Sequence, residues 1–348
     1  GLALAAATAL VGFPNPPRSA EAAERSSGED PVLADLASHD ALSLAEASGP
    51  FVVALTELPP RPGPVEFRVH VVGLEAGDGV GDVRLQSSGP GGAGTEVALG
   101  GCGTGCFRVR GRIGAAGPWS FRVTAASTRS PIEAAFAVEL PTPDGTPVLR
   151  RAMADLDRLR SVAMEEELRG SPDGPTIKAR YRFSAPAAFE FVVGGRSQIV
   201  IADRSYERPR PEATWAAKAW PGRPFEWPGA YYRSVWARPA AVRVLGTEEL
   251  EGQPMTVIAF VRPNLPAWIR LWVGVSDGLV HREKMRAEGH LMDRIYKAFD
   301  ASGPIVPPAT GPQQPAGSGR SLRGRRQSPR RCRPPESERH GTCRPCAR

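Results

Sequence analysis

The stretch Pro254–Asp300, PMTVIAFVRPNLPAWIRLWVGVSDGLVHREKMRAEGHLMDRIYKAFD, decides how this chain reads. Met255, Val257 and Val261 are bulky and apolar, and so are Ile258 and Phe260 between them. A strand apolar on both faces is covered on both sides. From Trp268 to Val275 the pattern alternates instead. Ile269, Leu271, Val273 and Val275 fall on one face, Trp268, Arg270 and Trp272 on the other. Ser276-Asp277-Gly278 predicts a tight turn, because glycine tolerates positive φ. A further strand follows over Leu279–Met285. After Gly289, Met292, Ile295, Tyr296 and Phe299 have helical spacing, whereas the alternating set gives only a poor strand face.

The run WIRLWV, a turn, GLVHREKMRAEGHLMDRIYKAFD and then IVPP resembles the end of bacterial lipoprotein-carrier-like domains of the LolA/LppX type. The resemblance reaches weakly back to about Pro147. It implies a strand after Gly289, which we follow over the helical period. It also implies a curved antiparallel half-barrel with a packing helix, whose hollow holds acyl chains or other hydrophobic segments.

Working outward, residues 146–309 form this α+β unit. Thr146 serves as N-cap and Pro147 as first helical residue of a helix to about Ala163, with Leu149, Met153, Leu156 and Leu159 on one side. Strands follow at Glu165–Arg169, Thr176–Phe183, Ala188–Val193, Ser197–Ala202 and Val242–Glu248. The Pro- and Trp-rich stretch Tyr206–Tyr232 reads as a long loop folded over the sheet. The run Glu165-Glu166-Glu167 reads as a solvated edge.

Residues 49–141 show seven short strands separated by Gly, Pro and Ser turns: Phe51–Thr56, Val65–Val71, Val83–Gln86, Glu96–Leu99, Phe107–Ile113, Trp119–Ala125 and Ile132–Leu140. That spacing predicts an immunoglobulin-like sandwich. The segments FVVALTELPPRPGPVEFRVHVVG and CGTGCFRVRGRIGAAGPWSFRV resemble the YtkA-like sandwich that follows the membrane part of CopD-type copper-resistance proteins. This resemblance covers about Leu2–Pro141. It implies an extracytoplasmic appendage to a copper-handling membrane protein, although this chain lacks the multi-helix part that would carry metal. The fold class is therefore mainly β: an immunoglobulin-like sandwich, then an α+β half-barrel.

Charge confirms where function does not lie. The net charge is +7, but residues 319–348 contain ten Arg against two Glu. The remainder then holds 34 basic and 35 acidic residues, so the body is near neutral and does not read as nucleic-acid binding. Residues 310–348 read as a disordered Arg/Pro-rich tail. Its Cys332, His340, Cys343 and Cys346 match no closed zinc spacing. Residues 1–14 contain an apolar run, Leu2–Phe13, too short to span a bilayer, and read as a signal remnant or a truncated membrane helix. Residues 15–48 read as a polar linker, with a short helix around Pro31–Ala37.

The candidate chemistry is sparse. Cys102 and Cys106 predict a small-loop disulfide in an oxidising compartment, with a Cu(I)-binding thiolate pair as the alternative. His281, Met285, His290 and Met292 offer soft ligands for copper, set against the plainer reading of surface His and core Met. His70 falls on the polar face of its strand and reads as solvated. Phe191, Ile199, Ile201, Met255, Val257, Phe260, Trp268 and Trp272 are candidates for a hydrophobic-ligand pocket, set against plain core packing under the long loop. No nucleophile triad, phosphate loop or H-E-x-x-H motif occurs. The expectation is a non-enzymatic module at the extracytoplasmic side of a membrane, accessory to copper homeostasis. The alternative is a carrier of lipid or another hydrophobic ligand.

Overall fold

The computed structural model describes residues 40–74, 78–90, 92, 94–220, 236, 238–262 and 266–310. The apolar run Leu2–Phe13, the helix around Pro31–Ala37, Trp227 and the zinc-type set of the tail lie outside the described residues. Among the described residues no helix is long and apolar enough to cross a membrane.

The first nine strands are β1 (Leu42–Ser48), β2 (Phe51–Leu58), β3 (Gly63–Val72), β4 (Val80–Ser88), β5 (Thr95–Ala98), β6 (Gly100–Gly103), β7 (Cys106–Ile113), β8 (Gly117–Ser127) and β9 (Ile132–Leu140). They build a sandwich of two antiparallel sheets, ordered β1-β2-β3-β7-β6 and β5-β4-β8-β9. Alternation sets the core. Along β9 Ile132, Ala134, Phe136, Val138 and Leu140 are buried and the four residues between them are exposed, and Phe121 and Val123 of β8 meet Phe67 and Val69 of β3 in the same cluster. The Phe67 and Phe121 rings lie 5.5 Å apart and tilted, a favourable aromatic geometry. The expected linker ends earlier than residue 48. LSLAEAS forms edge strand β1, because Leu42 and Leu44 bury against the sandwich core while Ala45 faces the other way.

Cys102 and Cys106 are joined across the β6–β7 hairpin. A bridge closing so short a loop constrains the unfolded chain modestly, about 2 kcal/mol in the chain-entropy account. The double variant C102S/C106S should lose about that much in urea denaturation at constant m-value; an unchanged midpoint would remove the stabilising role.

The second part starts with α1 (Thr146–Asp157) and continues through β10 (Ser161–Arg169), β11 (Ile177–Ser184), β12 (Ala188–Val193), β13 (Arg196–Ile201), β14 (Arg204–Arg208), β15 (Ala216–Ala219), β16 (Ala240–Leu250), β17 (Gln253–Arg262), β18 (Ala267–Gly274), β19 (Val280–Ala287) and β20 (His290–Lys297). These eleven strands form one open antiparallel sheet, ordered β15-β14-β13-β12-β11-β10-β20-β19-β18-β17-β16. It consists of two meanders joined where β10 pairs with β20, Met164 opposite Tyr296. The sheet does not close into a barrel.

Three expectations need correction. The helix stops at Asp157, short of Ala163, because Val162 and Met164 are needed on a strand face; Arg158 and Leu159 turn the chain with N–H bonds to Asp155 and Leu156. The N-cap position is Gly145, and Asp144 supplies the capping oxygen, accepting from both the N–H and hydroxyl of Thr146 at 2.9 and 2.6 Å. The long loop over 206–232 contains β14 and β15 up to Ala219, while residues 221–235 lie outside the described set.

The large sheet is covered on both sides, as the composition of β17 requires. Ile258, Phe260, Ile269, Leu271 and Val273 pack under α1, against Leu149, Ala152 and Leu156. On the other face Met255, Val257, Ala259 and Trp272 enter the sandwich core, and Val261 and Trp268 meet Ala45, Val52 and Ala54. The indole N–H of Trp268 donates to Ser43 Oγ at 2.8 Å, and that of Trp272 to Glu248 at 2.7 Å. Lys284 bonds Glu46 of β1 at 2.8 and 3.0 Å; burial lowers the lysine pKa and the Glu46 carboxylate opposes the shift. His70, expected in solvent, is 3% exposed, because it sits beside Ala54 on the face that turns toward the large sheet.

Candidate functional site

The two sides of the large sheet decide what the candidate pocket residues can do. Alternation places Phe191 and Phe260 on the α1 face. Met255, Val257, Trp268 and Trp272 lie on the opposite face, sealed against the sandwich. Ile199 and Ile201 also face away from α1, in a satellite cluster with Tyr206 and Ile305. The eight residues therefore do not share one cavity. Six lie on the face away from α1, five of them buried and Ile201 partly so, because the sheet is covered on both sides and its apolar residues divide between them.

A cleft does open beside α1. It has a volume of about 740 Å³ and lies between the first two turns of α1, the start of β16 and the segment before β1. Leu149 and Met153 of the helix, Trp236 and Val242 form its apolar part. All four belong to or pack on the cluster beneath α1, so the apolar part of the cleft is the edge of that packed core. Asp40, Asp144, Arg150, Arg238 and Arg243 stand around it. Asp144 is held ionised below its usual range, chiefly by its hydrogen bonds to Thr146. Arg243 donates to the carbonyls of Ala41 and Thr142 at 3.0 and 3.4 Å and lies 3.8 Å from Asp40. Arg238 and Ala241 hold left-handed φ values of 53° and 52°, a conformation few non-glycine residues take.

Beneath the helix lies a buried polar network. Arg294 of β20 donates to Glu166 of β10 through Nε at 3.0 Å and again through Nη2, and to Glu283 of β19 at 3.0 Å. Glu283 also accepts from Tyr296 Oη at 2.5 Å and from Trp236 Nε1 at 3.1 Å. Tyr181 Oη donates to the other oxygen of Glu166 at 2.9 Å. Glu166, Glu283 and Arg294 are all buried. This corrects the reading of the acidic run. Glu165 and Glu167 do sit in solvent with Lys297 and Lys178, but strand alternation turns Glu166 inward beside Met164. The three glutamates are identical in type, so composition does not distinguish the middle one. Only its parity with Val162 and Met164 could have shown it. Trp236 links the network to the cleft, since one face of its burial is the cleft wall and its N–H is spent on Glu283.

The candidate soft-metal set comes together only in part. Met285 and Met292 are cross-strand partners, both buried under α1, and His290 lies two residues from Met292. Burial lowers the His290 pKa, with Arg294 adding to the shift and Glu166 opposing it. His281 is four residues from Met285, about 13 Å along a strand. It bonds Asp277 at 2.9 Å and stacks edge-on with Phe299. Among the described residues no three His, Cys, Asp or Glu side chains are grouped to hold a metal ion. Cys102 and Cys106 are spent on each other.

No protein-family model matches the chain, and no curated protein matches it. Similar solved structures include the lipoprotein LppX of Mycobacterium tuberculosis, with 13% identity, TM-score 0.36, and coverage of 46% of this chain and 97% of that one. LprF from Mycobacterium bovis shows 12% identity and TM-score 0.38, over 49% of this chain and all of that one. A LolA superfamily protein from Nitrosomonas europaea shows 9% identity and TM-score 0.20, over 44% and 92%.

Proposed function

We propose that this chain is an extracytoplasmic binding module for a hydrophobic ligand, which it takes up beside α1. The observation that carries this reading is the cleft of about 740 Å³ whose apolar side, Leu149, Met153, Trp236 and Val242, is the edge of the core under the helix. Its size and its mixture of apolar walls with a few polar groups are those of small-molecule sites. The Cys102–Cys106 bridge supports an oxidising compartment outside the cytoplasm. Membrane association through Leu2–Phe13 rests on that segment's composition alone. A role in copper homeostasis has no comparable support, because the methionines are core residues and His281 stands apart from them.

The test fills the cleft from the side where a half-buried residue leaves room. Met153→Trp should weaken binding of the neutral fluorophore N-phenyl-1-naphthylamine about tenfold or more, with the far-UV spectrum unchanged. The reading falls if the native chain gives no fluorescence enhancement, or if M153W binds as the native chain does.

A further inference from the structure

We infer that the cleft selects an amphiphile with an anionic headgroup, a carboxylate or a phosphate ester, held at the mouth by Arg150 and Arg238. This rests on the reading of the cleft as a hydrophobic-ligand site. The mouth carries three arginines and two aspartates. Three of these five charges already have work within the fold. Asp144 caps α1 through Thr146. Arg243 ties the segment before β1 to the start of β16 through the Ala41 and Thr142 carbonyls, and Asp40 is its acidic neighbour.

That leaves Arg150, on the outer side of α1, and Arg238, just before β16. Both are exposed, and neither forms an ion pair among the described residues. Arg150 acts electrostatically on Asp144, which is already engaged with Thr146. Arg150 and Arg238 thus stand at an opening lined in part by the apolar side chains of Leu149, Met153, Trp236 and Val242. An acyl chain lying against Met153, Leu149 and Val242 would bring its polar end to the pair. Guanidinium suits both headgroups, because its planar N–H donors match carboxylate and phosphate oxygens. A cationic headgroup would meet a net positive rim, and a neutral one would leave both arginines without a partner.

The experiment uses the full chain and displacement of N-phenyl-1-naphthylamine by palmitate, hexadecyl phosphate and hexadecanol, which share one chain length. The native protein should bind at least one of the two anions about tenfold more tightly than the alcohol, a contrast that shrinks with added salt. R150E/R238E should remove that preference and leave hexadecanol binding unchanged, which also shows that the variant is folded. R150K/R238K, which keeps the charge but not the planar pair of N–H donors, should keep only part of it. A preference for only one of the anions identifies the headgroup. Equal binding of all three by the native chain, or an undiminished preference in R150E/R238E, overturns the headgroup assignment while the hydrophobic site stands. If the native chain binds neither the alcohol nor the fluorophore, the site itself is lost and the assignment with it.

Discussion

Arg294→Met should destabilise the protein by about 3–5 kcal/mol, measured as the shift in urea midpoint at constant m-value. The reason is what the arginine leaves behind. Glu166 and Glu283 are both buried, and Arg294 is the cation bonded to each. Methionine matches much of the stem volume but supplies no donor. The two carboxylates would then face each other across β20 in a low-dielectric interior. Arg262 also acts on Glu283 and will offset part of the loss. The network as a whole need not be strongly stabilising, because desolvating three charged groups is itself costly. Replacing all three, as E166L/E283L/R294M, should therefore be much milder than R294M alone, although Tyr181, Tyr296 and Trp236 would lose acceptors. A loss below about 1 kcal/mol in R294M would mean that the carboxylates relax or take up protons at little cost. The effect on the site should be visible too. Trp236 is fastened through Glu283, so a variant that frees Glu283 should loosen one wall of the cleft and change its fluorescence.

Glu57→Gln should change the pH dependence of stability, and with opposite sign to the usual acid case. Glu57 lies on the core face of β2, between Leu42 and Phe67 of the neighbouring strands, and is 1% exposed. Neither carboxylate oxygen has a hydrogen-bond partner among the described residues. Burial pushes its pKa up to about 8, from 4.5. Between those values the folded chain keeps a proton that the unfolded chain gives up, so this group's contribution falls as pH rises from about 4.5 and levels off above about 8. At 1.36 kcal/mol per unit, a shift of that size amounts to about 5 kcal/mol at its limit. E57Q cannot ionise. It should match the native protein below pH 4.5 and exceed it by several kcal/mol at pH 8, in denaturation at the two pH values. A constant difference across that range would show that Glu57 is ionised in the fold and has found a partner.

Much of the architecture was legible in the residues. The seven sandwich strands, the Asp277-Gly278 turn and the two-sided burial of β17 all follow from local pattern. The alternation of β18 correctly put Trp268 and Trp272 on one face. What covers that face was not legible. Its partners are Ser43, Ala45 and Ala54, more than two hundred residues away, and the neighbouring Pro- and Trp-rich stretch was the nearer candidate. The candidate pocket residues divide between two faces for the same reason: an apolar residue declares that it will be buried, but not against which layer.

β20 shows the converse. Its helix-like period arises because its inward face is Met292, Arg294 and Tyr296, with a charged residue in the middle. An inward arginine breaks the apolar alternation, and only the carboxylates of β10 and β19 make it a core residue. Glu166 is the mirror of this case, an acidic residue taken for surface because its partner lies 128 positions away. Strand periodicity and turn chemistry are properties of a few adjacent residues, so the chain's own order carries them. Charge burial, the shared core of sandwich and sheet, and the cleft beside α1 depend on which distant faces meet. Those followed only from packing, since each is an energy between groups that lie far apart along the chain.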